Sequence, residues 1–66
     1  MTLKQAYLAT KVGGVGSVLA TEEQAPAVMA QAEQMQAEGL ITILKTHTES
    51  QTGRRYTDLI QFLRQQ

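Results

Sequence analysis

Between Pro26 and Leu44 the spacing of apolar residues changes period once, and that change decides the fold class. Val28, Ala32 and Met35 recur at helical intervals with Met29 at their flank, while Ala27, Ala30, Gln31, Gln34 and Glu38 fall outward. Pro26 suits a first helical turn, where its missing N–H costs nothing, and Gly39 supplies the stop. Leu40-Ile41-Thr42-Ile43-Leu44 follows at once and is rich in β-branched residues. A helix over Pro26–Glu38 that hands directly to a strand places the chain in the α+β class.

The flanking segments extend this core. Thr2-Leu3-Lys4-Gln5 is a capping-box pattern, Leu3, Tyr7 and Leu8 share a helical face, and Gly13-Gly14 breaks the run, which predicts a first helix over residues 2–12. In it Lys11 stands where a cation suits a helix C-terminus. Val15, Val18 and Leu19 are spaced i, i+3, i+4, so residues 15–21 read as a short second helix; a strand that follows a Gly13–Gly16 turn is the competing reading. Thr21-Glu22-Glu23-Gln24 repeats the capping pattern and allows the next helix to begin before Pro26. Lys45-Thr46-His47-Thr48 prolongs the strand, Glu49-Ser50-Gln51-Thr52-Gly53 is a turn cluster, and Arg54-Arg55-Tyr56-Thr57 begins the return strand of a hairpin. The tail fits a helical face (Tyr56, Leu59, Ile60, Leu63) or a strand face (Tyr56, Ile60, Phe62); a strand through about residues 59–62 is preferred.

With 66 residues the chain has room for a single domain, 1–66. Hydrophobic residues make up 42%, but eight of them are alanine, so the core is small. Domains of this size bury only about 60% of the surface their unfolded chain exposes. With no cysteine and one histidine, neither a disulfide nor a metal site of ordinary spacing is expected. No apolar run reaches the roughly 18 residues of a membrane span, and Met1-Thr2-Leu3-Lys4-Gln5 lacks a signal peptide's order. The expectation is a complete cytoplasmic protein without membrane, metal or cofactor.

An enzyme is not expected. Ser17 or Ser50, His47 and Asp58 supply the letters of a hydrolytic triad without a nucleophile-elbow context. Gly13-Gly14-Val15-Gly16-Ser17 lacks the preceding strand, third glycine and lysine of a phosphate loop.

Two short helices, a third helix ending in Glu38-Gly39-Leu40-Ile41, and a hairpin returning through Gly53-Arg54-Arg55-Tyr56 resemble a winged helix-turn-helix domain over residues 17–57. The resemblance implies three helices followed by a C-terminal β-hairpin, and a small DNA-associated regulator of transcription. Duplex DNA would then meet the wing through Lys45, Arg54 and Arg55, with His47 opposite, and the third helix through Gln31 and Gln34. The helix departs from the family in carrying no base: residues 21–44 hold four acids and no Lys or Arg, whereas residues 45–66 hold four bases and two acids. Since phosphate neutralisation supplies most nonspecific DNA affinity, this moves the expected contact to the wing.

The alternative expectation is a homodimerising protein-interaction module without a nucleic-acid role. Leu59, Ile60, Phe62 and Leu63 make both sides of the tail apolar, so that one side can cover the core while the other meets a partner. Ile60 and Phe62 are the residues expected at that interface.

Overall fold

A computed structural model describes residues 2–66. It contains helix α1 (Leu3–Ala9), strand β1 (Val15–Leu19), helix α2 (Ala25–Ala37), strand β2 (Ile41–Thr48) and strand β3 (Thr57–Arg64). The strands form one antiparallel sheet in the order β1-β3-β2. The class is α+β as expected, but three helices followed by a C-terminal hairpin are not what forms. Among the described residues there are two helices, and residues 15–19 are a strand that pairs with β3, Val15 opposite Leu63 and Leu19 opposite Leu59. The winged-helix-like architecture expected from the resemblance is therefore set aside.

The helix reading of residues 15–21 fails for two reasons. Gly16, inside that span, taxes helix formation by about 1 kcal/mol relative to alanine. The central strand β3 also has a second edge whose backbone groups need a partner, and β1 supplies it. Val18 gains full burial there, opposite Ile60.

Helix α1 starts as its capping box predicts. The Thr2 hydroxyl accepts from the Gln5 backbone N–H at 3.1 Å, and the Gln5 side chain accepts from the Thr2 N–H at 2.9 Å. It ends at Ala9, short of the expected residue 12, because Thr10 turns extended and its hydroxyl donates back to the Ala6 carbonyl. The cation at this helix end is Arg64 from β3 rather than Lys11. Its guanidinium donates to the carbonyls of Thr10 (2.7 Å) and Tyr7 (3.2 Å) and lies 4.2 Å from the Tyr7 ring centroid.

The start of α2 falls at Ala25 with Pro26 in its first turn, after a Thr21–Gln24 turn closed by reciprocal side-chain hydrogen bonds. It ends before Gly39, whose φ of +78° is the left-handed geometry that glycine adopts without strain, and the Leu40 N–H then reaches back to the Met35 carbonyl.

Both helices lie on one side of the sheet. The core between them joins Leu3, Ala6, Val18, Ala32, Met35, Ile41, Ile60 and Phe62, with Tyr7, Val28, Met29, Leu40 and Ile43 packed around it. Phe62, Leu3, Ile41 and Ile60 are the largest fully buried side chains. Ile60 and Phe62 are each 0% exposed, so neither stands at a surface where a second chain could touch it. The expected dimer residues belong to the monomer core.

Candidate functional site

Strand alternation sends the neighbours of the core residues to the opposite side of the sheet, which no helix covers among the described residues. Along β1 these are Val15, Ser17 and Leu19, and along β3 they are Leu59, Gln61 and Leu63. On β2 a bulge between Ile43 and Lys45 sets two residues, Leu44 and Lys45, against Gln61. Past it, His47 stands opposite Leu59. The uncovered side therefore carries three rows: Val15–Leu63–Thr42, Ser17–Gln61–Lys45 and Leu19–Leu59–His47. Val15 is 55% exposed, Leu19 74% and Leu44 48%, while Leu59 and Leu63 are half-buried by their neighbours. An antiparallel sheet with one solvated face ordinarily shows polar residues there. Here aliphatic residues occupy five of those positions.

The two sheet edges differ. β2 is guarded: the Ile43 N–H is taken by the Gln36 side chain at 2.8 Å, and two register shifts bend the strand. β1 has neither bulge nor charge nor proline, and among the described residues no side chain hydrogen-bonds its backbone.

The residues expected to touch DNA do not form one surface. Lys45 lies on the uncovered sheet side, opposite Gln61. Arg54 is ion-paired with Glu22, whose carboxylate raises its already high pKa. Arg55 sits beside it in the β2–β3 loop with φ of +56°, an uncommon conformation for a residue with a Cβ. Gln34 donates to Glu38 on the same helix, and Gln31 lines the hollows between α1 and α2 instead of standing clear of the helix pair.

His47 and Asp58 meet near the mouth of the hairpin, Nδ1 to Oδ1 at 2.7 Å. A bulge at His47/Thr48 turns Asp58 toward the histidine. With Ser50, Glu49 and Gln51 they line an open polar hollow. The His47 side chain is 59% exposed, so water reaches this dyad freely. Glu49 is occupied by its own loop. Its carboxylate accepts from the Thr52 hydroxyl at 2.6 Å, from the Thr52 N–H at 2.8 Å and from the Gln51 N–H, which together hold its pKa below the usual value.

Among the described residues no cluster of three or more metal-ligating side chains forms, and no helix is long and apolar enough to cross a membrane. Sequence reasoning singled out the tail as two-sided, but it missed Val15, Leu19 and Leu44. Their alternation with Val18 and Ile43 is the signal that could have found them. Compared with known proteins, this chain matches no family model, no curated protein and no solved structure.

Proposed function

We propose that this protein is a non-catalytic, homodimerising interaction module whose contact region is the uncovered side of the sheet and the β1 edge that bounds it. One observation carries the reading. Five aliphatic side chains, Val15, Leu19, Leu44, Leu59 and Leu63, stand where an isolated two-layer domain would place polar ones. A second copy suits this region because the chain has zero net charge, so two copies approach without long-range repulsion. A domain this small also gains stability by mass action when it pairs.

The affinity should be modest. With strands about 4.8 Å apart and about 3.3 Å per residue, three strands of five residues present a flat area on the order of 250 Å2. That is small beside the roughly 800 Å2 per partner of a standard interface.

The DNA reading has less support. Arg64 is committed to the end of α1 and Arg54 to Glu22, which leaves Lys45 and Arg55 as the bases of the C-terminal half without an ion pair among the described residues. Sedimentation equilibrium of the full chain from micromolar to millimolar concentration tests the proposal. A monomer–dimer equilibrium is expected, and a strict monomer throughout would refute it.

A further inference from the structure

Resting on that reading, we infer that two copies join through antiparallel pairing of their β1 strands about a two-fold axis at Ser17, making one continuous six-stranded sheet, β2-β3-β1-β1-β3-β2. The ladder to β3 shows which backbone groups are available. The Ala20 N–H donates to Asp58 and the Gly14 carbonyl accepts from Arg64, and both pairs obey the register that sets Val18 against Ile60. Hydrogen-bonded pairs alternate along an antiparallel ladder. Even-numbered residues of β1 therefore bond β3, while the N–H and C=O groups of Val15, Ser17 and Leu19 point to the open edge.

Those three residues are self-complementary when a second β1 runs antiparallel with Ser17 opposite Ser17. Val15 then faces Leu19 of the other copy, and Leu19 faces its Val15. Each of the three pairs exchanges both of its backbone hydrogen bonds. Ser17, small and uncharged, sits on the axis, where two identical side chains must meet.

Side-chain packing follows the same register. Val15 is already beside Leu63, and Leu19 beside Leu59. Edge pairing extends these contacts into two rows across the joint, each running Leu63–Val15 of one copy into Leu19–Leu59 of the other. The two most exposed aliphatic side chains of the strands, Leu19 and Val15, gain the cover they lack. The β2 edge offers no equal template, because the Ile43 N–H is taken and the strand is bulged.

Amide hydrogen exchange of the wild-type protein, followed across the concentration range of dimerisation, reads this pairing directly. Exchange at Val15, Ser17 and Leu19 should slow by about tenfold or more as dimer forms, because the joint must open first, while Gly16 and Val18 are protected at every concentration. Since the chain has no cysteine, single substitutions report the register. Ser17→Cys should be joined into a covalent dimer by a short bifunctional thiol reagent, its Cα atoms about 5.5 Å apart across the axis. Val15→Cys should not, because its counterpart lies about 14 Å along the partner strand. Leu19→Lys should remain folded and become monomeric.

If the wild-type protein is monomeric throughout, both this pairing and the homodimer reading fall. If it dimerises but the exchange of Val15, Ser17 and Leu19 ignores concentration, or Val15→Cys crosslinks as fast as Ser17→Cys, the edge pairing is wrong and homodimerisation stands.

Discussion

Gly16→Ala should destabilise the fold for a purely steric reason. A Cβ on Gly16 would lie 2.3 Å from Thr10 Oγ1 and 2.7 Å from Phe62 Cζ, closer than real Cβ contacts allow. Neither neighbour yields cheaply. The Thr10 hydroxyl holds the Ala6 carbonyl at the end of α1, and the Phe62 ring is fully buried. Overpacking of a core costs about 1–3 kcal/mol, and a displaced hydrogen bond about 1 kcal/mol. Alanine returns about 0.4–1 kcal/mol by stiffening the unfolded chain. The net loss is therefore about 1–3 kcal/mol. At about 0.05–0.15 kcal/mol per residue the whole domain holds on the order of 3–10 kcal/mol, so the loss is a large share. Urea unfolding followed by far-ultraviolet circular dichroism, at a concentration where the protein is monomeric, should show a lower midpoint with an unchanged slope. Phe62→Leu removes the crowding carbon, so the double variant should lose about 1 kcal/mol less than the sum of the singles. A Gly16→Ala protein as stable as wild type would refute the steric account. Strict additivity with Phe62→Leu would remove Phe62 from it.

Further outcomes follow from single contacts. Phe62→Ala should cost about 3–5 kcal/mol in the same unfolding assay and approach complete unfolding, since Phe62 is 0% exposed. Arg64→Lys should lower stability by about 1 kcal/mol, because lysine cannot bond both carbonyls and lie flat on Tyr7, and the backbone amides of residues 7–10 should shift in nuclear magnetic resonance spectra. Glu49 has its pKa depressed in the fold, chiefly by the Thr52 hydroxyl, so its contribution to loop order is present above its unfolded pKa and lost as pH falls through the folded one. The Gln51 and Thr52 amides should report that transition in an acid titration, and Glu49→Gln should abolish it. Random-sequence duplex DNA at low salt should leave the amides of Arg54 and Arg55 unmoved; chemical-shift changes confined to them would restore the DNA reading.

What could be read from residue order alone divides along a physical line. α2, the Gly39 stop, β2 and the α1 capping box are local: a period, a cap, a backbone torsion. Each is legible within a dozen residues. β1 is not, because Val15, Val18 and Leu19 satisfy helical spacing as well as a short strand does. The choice is made by β3, which lies some forty residues downstream and needs a partner on its second edge. The tail shows a related limit. Its strand character could be read, but Ile60 and Phe62 compete with Leu59 and Leu63 as the buried set, and period alone treats them alike. Packing decides, because Gly16 opposite Phe62 leaves room for the ring on the helix side. A one-residue error in facing moved the expected interface into the core.

The charge balance leads to the same surface. Six bases against six acids say little as a total, and their placement says more. Arg64 neutralises the carbonyl end of α1, which lacks a base in its own last turn. Arg54 ties the β2–β3 loop to the turn before α2 through Glu22, an exposed pair more useful for position than for stability. Both arginines thus have structural employment, which makes a base-rich C-terminal half compatible with a protein that grips no polyanion. On the uncovered side of the sheet Lys45 stands in the polar middle row, between two rows led by Val15 with Leu63 and by Leu19 with Leu59. A surface with one ammonium group among five aliphatic side chains gives a phosphate backbone little to neutralise. It gives an apolar strand of the same chain a row to continue.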